Sequence, residues 1–338
     1  MSATLSLKEA RALSFEILVG LGVCESDAAL ICDSMEYADT RGKTTHGMGR
    51  IPLYKKNIEA GTLDPTAKME TVVDSGAVAV LDAHDGFGQI AAVHAIDKAV
   101  SKAREFGIAA VGVCNSNNFG AAGFYGMKCA QEGLICLVCA NASPAFSPTG
   151  GSKALLGTNP ICFAAPGAEG ECPIVFDMAV TNVARSKIRL ALKNGNAIPE
   201  GWALDKDGNS TTDPAAALEG TLLPVGGYKG YGLGLAVDIL AGLLVGSPFA
   251  GRVKPLSDLS SASRNGHMFI VIDPARFCDS SEYEARISEL TETVRTCGED
   301  VMLPGERGTK FKEQLDGCIV LSDKQFDEIM SVRNGLVV

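Results

Sequence analysis

The chain has 338 residues, 46% hydrophobic and 21% charged, the make-up of an ordinary globular protein long enough for two domains with their own cores. Its 30 basic residues against 40 acidic ones leave a net charge of −10. That balance argues against a nucleic-acid or anionic-membrane binder and leaves a small molecule as the expected partner.

The N-terminal MSATLSLKEARAL has no basic region followed by an apolar core and cleavage site, so no signal peptide is expected and the expected location is cytoplasmic. Ser6 with Glu9 fits a capping box, and Leu13, Ile17, Leu18 and Leu21 keep helical spacing, which predicts a first helix broken by Gly20 and Gly22. A second helix is expected from Ser26 or Asp27 to Asp39. The chain then reaches TRGKTTHGMGR, a turn-rich approach to another helix, IPLYKKNIEAG. From Ala77 the character changes: AVAVLD and IAAVGVC flank a helical stretch over 90–106, a strand, helix, strand alternation that places a domain boundary near residue 75.

A helix over 121–132, strands over 134–139, 161–164 and 174–176, and a helix from about Val183 follow. The polar loop NGNAIPEGWALDKDGNSTTDPAAA holds the only tryptophan, Trp202. Beyond it a long helix from Lys229, the strand HMFIVID, a helix over 280–295, a glycine-rich loop after Pro304, a helix, the strand CIVLS and a last helix from Asp323 are expected. The apolar run 232–246, GLGLAVDILAGLLVG, is interrupted by Asp238 and shorter than the roughly 18 residues a membrane span needs. It is expected to be a buried helix.

Cys136 and Cys139 form a CxxC inside the strand-like LICLVCA, where positions three apart face opposite sides, so buried thiols are expected rather than a redox or metal pair. With four histidines and no second Cys or His pair at ligand spacing, no metal site is expected. Small polar residues, glycines and prolines crowd the loops of residues 115–166, backbone suited to close approach of a ligand. Together with THGMGRIPLY at 45–54, that is where an active site is expected.

No GxGxxG stands between a strand and its helix. Gly120, Gly123 and Gly126 have the spacing of close-packing positions. Gly226 and Gly227 before Lys229 suit either a phosphate site or a loop with a solvated lysine. An imidazole such as His46 moves protons near neutral pH, and the planar fork of Arg50 matches a carboxylate, the pairing that reduction of a 2-oxo acid needs. Spacing alone favours a helix-capping histidine and a surface arginine. His84, His94 and His267 are taken as structural.

THGMGRIPLY resembles the SHG-x-x-R-x-P-x-Y motif of the malate/L-lactate dehydrogenase family. LDAHDGFGQ, NSNNFGAAGFYG, GGSKALLGTNPICFAAP, FDMAVTNVARSKI, LLPVGGYKGYGL, GHMFIVIDP and LPGER are similar to further family segments, in the same order, over nearly the whole chain. The resemblance implies an α/β fold: a non-Rossmann nucleotide-binding domain over 76–299, with a largely antiparallel mixed sheet flanked by helices, and a helical substrate domain from 1–75 with about 300–338. It implies a homodimer that uses NAD or NADP to move a hydride to or from a small 2-oxo or 2-hydroxy acid. Carried over, His46 is the proton donor and acceptor, with Asp177 as a group that could orient it. Arg50 holds the substrate carboxylate, and Thr45 and Tyr54 complete the substrate positions. The cofactor positions are Asn118, Asp177, Met178, Ala179, Val180, Thr181, Asn182, Lys229, Gly230, Gly305, Glu306 and Arg307. Asn118 stands where the family commonly has histidine, so proton transfer is expected to rest on His46 alone. Arg185 and Lys187 could accept a ribose 2′-phosphate or form a solvated helix face. The alternatives are a cyclic imino-acid reductase and a nucleotide-binding homologue without catalysis.

Overall fold

The computed structural model describes residues 2–336. Its central sheet has seven strands in the spatial order Glu70–Ser75, Val78–Asp82, Ile108–Ser116, Asn265–Ile272, Ile135–Ala140, Ile161–Ala165 and Ile174–Met178. One neighbouring pair, Val78–Asp82 with Ile108–Ser116, is parallel, and helix Gly88–Phe106 makes its crossover. The other pairs are antiparallel, which is the largely antiparallel mixed sheet the family resemblance implied. Strand Glu70–Ser75, on the N-terminal side of residue 75, belongs to this sheet through a hairpin with Val78–Asp82.

Alanines 91, 92, 95, 99 and 103 of the crossover helix lie at helical spacing in one buried cluster with Ala109, Val111 and Val113 of the sheet, so small side chains let helix and strand approach closely. Gly126 acts the same way in helix Ala122–Gln131: an added Cβ would meet Cys162 Sγ at 2.6 Å. Cys136 and Cys139 are both buried but on opposite faces of the sheet, as period-two alternation requires. Contact with Cys129 and burial push the Cys136 thiol up, and burial pushes Cys139 up to about 12, so both are inert thiols.

A second core joins the two ends of the chain. Helices Leu7–Gly20, Glu25–Asp39 and Ile51–Glu59 bury Ile17, Leu18, Ile31, Met35 and Ile51 against Ile329 and Val332 of helix Asp323–Asn334. Strand Ser2–Ser6 pairs antiparallel with Cys318–Ser322 beside them. The capping box predicted at Ser6 and Glu9 is present. A third, smaller cluster gathers Phe146, Val180, Val183, Ile188 and half-buried Trp202 around a five-stranded sheet of short strands.

The expectation of a buried helix over 232–246 is corrected. Helix Tyr228–Asp238 continues into a π-helical turn, Ile239–Leu243, and packs through Val237, Ala241 and Val245 on Cys139 and Met268 of the sheet and through Gly234 and Tyr231 on the third cluster. Leu233, Leu235, Ile239, Leu243 and Leu244 are 41% to 61% exposed. One sheet face covers one side of a helix, and among the described residues the leucines on the other side stand exposed. Among the described residues, no helix is long and apolar enough to cross a membrane.

Candidate functional site

Between helix Glu25–Asp39 and helix Ile51–Glu59 the chain makes two 3-10 turns, Thr44–His46 and Met48–Arg50. Asp39 fixes their path. Its carboxylate accepts the Met48 N–H at 2.9 Å, and a Cβ on Gly47 would lie 1.7 Å from Asp39 Oδ1, so only glycine fits there. Burial raises the Asp39 carboxyl to about 6.

His46 N–H donates to Lys43 O at 2.8 Å, and Arg50 Nε donates to Thr45 O at 2.6 Å, so the backbone of one turn holds both groups the sequence singled out. Among the described residues no carboxylate pairs with Arg50, and its remaining donors are open to an acid. His46 Nδ1 is buried without a partner. Desolvation, then the charges of Arg50 and Lys43, push the imidazole down to about 3, so it stands neutral at physiological pH, ready to accept a proton. Thr45 is exposed beside it.

Asp177 does not orient His46. Its carboxylate is held by the Lys43 ammonium and by the Gly123 N–H at 2.9 Å, which leaves no bond from it to the unpartnered Nδ1. Tyr54 is 2% exposed and belongs to the N-terminal core. Its hydroxyl accepts Gln89 Nε2 at 2.6 Å and its ring meets Phe87 edge-on, so it supports the turn from behind and does not line an open substrate site. Asn118 accepts the Gly120 N–H at 3.2 Å, and its backbone packs so closely on the start of helix Gly88–Phe106 that a Cβ on Gly88 would lie 2.6 Å from Asn118 O. Behind it His267 is fully buried, bonded to Ser116 Oγ at 2.9 Å and stacked on Phe119 at 4.6 Å, the structural part expected of it.

Two of the three proposed cofactor segments meet although they lie far apart in sequence, and the third reaches the strand that leads into the first. Val180 N donates to Thr158 O and Val180 O accepts Val225 N, each at 2.9 Å, which ties residues 177–182 to the glycine loop before Lys229. Gly230 is required at that seam, because a Cβ there would lie 2.4 Å from Val225 O. On the other side Val175 N donates to Pro304 O at 2.9 Å, and Gly305, with φ of +104°, crosses Val175 with no side chain between. Val180 and Thr181 are buried and can offer a ligand only backbone; Asn182, Lys229 and Arg307 are exposed. Met178 and Ala179 are half-buried. Glu306 is spent on Arg295 at 2.8 Å and on the Leu303 N–H at 2.9 Å, which makes it a brace for the loop.

An anionic dinucleotide fits these segments. Gly226 and Gly227, both at positive φ, leave open backbone beside Lys229, and Arg185 has a buried Nε with no partner, a donor suited to phosphate. Lys187 is exposed on the same helix.

Sequence reasoning missed Lys43, Asp39 and Gly47. Asp39 and Gly47 carry a local signal, an acid at a helix end followed by glycine in a turn. Lys43 carries none, since its partner lies 134 residues away.

Residues 5–330 match the family model described as malate/L-lactate dehydrogenase. The chain belongs to that family. It is 38% identical to the malate/(S)-sulfolactate dehydrogenase of Methanothermus fervidus over 98% of each chain. It is 36% identical to the (2R)-3-sulfolactate dehydrogenase (NADP(+)) of Chromohalobacter salexigens over 97% of this chain and 98% of that one. The solved sulfolactate dehydrogenase of Methanocaldococcus jannaschii superposes with a TM-score of 0.94 at 34% identity, covering 99% of this chain and 97% of that one. As a malate/L-lactate dehydrogenase family member, the protein is an NAD(P)-dependent oxidoreductase. Its largely antiparallel sheet is not a doubly wound parallel sheet, in keeping with the missing GxGxxG.

Proposed function

We propose that the enzyme interconverts a small 2-oxo acid and its 2-hydroxy acid, in the manner of the malate and sulfolactate dehydrogenases it resembles. One observation carries the reading: an arginine with no acid partner among the described residues and an imidazole with an unsatisfied nitrogen, presented by the same short turn. Bound NAD(P)H supplies the hydride that adds to C2 of the oxo acid and leaves as NAD(P)+. Arg50 takes the substrate carboxylate in a charge-assisted contact and fixes the orientation of C2. That contact offsets one of the two cations facing His46, so the imidazole becomes easier to protonate once the acid is bound. His46 then gives its proton to the oxygen on C2 during reduction and takes it back during oxidation.

Residues 177–182, Lys229, Gly230 and Gly305 to Arg307 form the cofactor side, chiefly through backbone, with Glu306 bracing the loop. Residues 1–75 with about 300–338 serve as the substrate half and 76–299 as the nucleotide half, except that strand Glu70–Ser75 joins the sheet of the nucleotide half. A second copy of the chain covers the exposed leucines of 228–244, which makes the working unit a homodimer. The cytoplasm is the proposed compartment, consistent with eleven cysteines that are all free.

The test is a screen of malate-, lactate- and sulfolactate-type oxo acids and cyclic imino acids with NADH and NADPH side by side. Oxidation of either cofactor by a 2-oxo acid, and none by an imino acid, is the expected result. Turnover confined to imino acids would replace the reading.

A further inference from the structure

The chain carries a net charge of −10, yet helix Arg185–Lys193 holds Arg185, Lys187, Arg189 and Lys193 and no acid. Among the described residues, none of these four has an ion-pair partner. Arg185 and Arg189 stand four apart on one face, where like charges repel; burial and then the Arg189 charge disfavour the Arg185 cation. The Arg185 Nε is buried with no hydrogen-bond partner, although a buried N–H normally has one. Such a face is at odds with itself until an anion meets it.

The helix is anchored from its other side. Ile188, with Val183 just before the helix, packs in the cluster that contains Val180 of the proposed cofactor run. Asn182 N donates to Leu223 O, and Val180 O accepts Val225 N, each at 2.9 Å, so the run lies beside the loop that leads to Lys229. Arg185 follows Asn182 by three residues, a span of at most about 11 Å.

The acids of the cofactor segments are already engaged. Asp177 pairs with Lys43, and Glu306 with Arg295. Dinucleotide enzymes select NAD with an acid that accepts the ribose 2′-hydroxyl and NADP with an arginine that meets the 2′-phosphate. In these segments no carboxylate is left for the first task, and two arginines stand ready for the second. The acid that could serve NAD instead is Glu200, exposed next to Gly201, whose carbonyl accepts Asn182 Nδ2 at 2.8 Å.

We propose that Arg185, backed by Arg189, receives the 2′-phosphate of NADP(H), so that the enzyme binds NADP(H) in preference to NAD(H). The inference rests on the cofactor side described under the proposed function. A guanidinium offers phosphate oxygens two parallel N–H donors, and a phosphate dianion offsets two like charges on one helix face.

The test is direct titration with NADPH and NADH, followed by the fluorescence of the reduced nicotinamide. The wild type should bind NADPH about thirtyfold tighter or more, and added salt should erode that ratio. Adenosine 2′,5′-bisphosphate should displace NADPH at concentrations where adenosine 5′-monophosphate does not. Arg185→Met should cut the NADPH-to-NADH affinity ratio about tenfold or more, and Arg185→Lys should keep more of it. A variant that merely folds poorly loses both cofactors together and leaves the ratio unchanged. A wild-type ratio near one overturns the inference, as does Arg185→Met with the wild-type ratio. So does a preference for NADH that Glu200→Gln abolishes. Each of these results leaves the oxo-acid reading standing wherever a 2-oxo acid oxidises either cofactor; a protein that binds neither nucleotide fails that reading and takes this inference with it.

Discussion

The turn around His46 works through side chains, whereas the seam around Val180 works through backbone. In the turn an aspartate and an obligatory glycine hold the path of the chain, and an imidazole and a guanidinium point out of it. Along strand Ile174–Met178 and the residues after it, main-chain bonds tie Val175 to Pro304 and Val180 to Val225, and the side chains of Val180 and Thr181 are buried. On the proposed function, the difference follows from what each would recognise. A carboxylate and a transferring proton need full charges and a titratable ring, which few residue types supply. A dinucleotide offers a long polar surface that backbone can follow, provided no Cβ intervenes.

The comparison breaks first at Arg50. Arg50→Met should lower kcat/KM for the oxo acid about a thousandfold, roughly 4 kcal/mol, while cofactor affinity changes little. Steady-state kinetics beside cofactor titration check this.

Next comes the path of the turn itself. Gly47→Ala forces Asp39 aside, and turnover should fall about a hundredfold because His46 is misplaced. At Gly49 an added Cβ meets the end of the flexible Gln325 side chain at 3.1 Å, so Gly49→Ala should cost less than about threefold. Equal losses in the two variants would mean that the turn tolerates no change and that Asp39 has no special place in it.

The seam gives a smaller effect of a different kind. Gly230→Ala pushes against Val225 O and should weaken NAD(P) binding about tenfold, read by quenching of protein fluorescence, with kcat at saturating cofactor nearly kept.

These two regions were unequally legible in the sequence. His46 and Arg50 stood out because charged and titratable residues in a glycine-rich turn have a chemical meaning even when spacing alone leaves a bland reading open. Tyr54 shared the same motif, but its position on the inner side of helix Ile51–Glu59 buries it, and a motif does not say which face of a helix is open. Strand Ser2–Ser6 was not foreseen because it exists through pairing with Cys318–Ser322, a partner at the other end of the chain. Lys43 was invisible for the same reason. For residues 232–246 hydropathy reported correctly that the run is apolar; it could not report that one chain covers only half of it.

An effect on stability and not on activity lies at His267, buried against Ser116 and Phe119. Burial holds its imidazole down to about 3, against about 6.5 in the unfolded chain, so the folded state binds fewer protons. Its contribution is whole above pH 6.5 and is lost as pH falls through 6.5 toward 3, about 2 kcal/mol by pH 5. Urea unfolding at pH 7 and pH 5 should show that loss, and His267→Phe should flatten the slope.

The claim on which the rest depends is that the proton passes through His46. The most direct measurement is turnover of His46→Ala with its best 2-oxo acid, alongside NAD(P)H affinity in the same preparation. A fall in kcat of two orders of magnitude or more with cofactor affinity within about threefold of the wild type is the expected result. Near-wild-type turnover, or loss of turnover only in step with loss of cofactor, would contradict it.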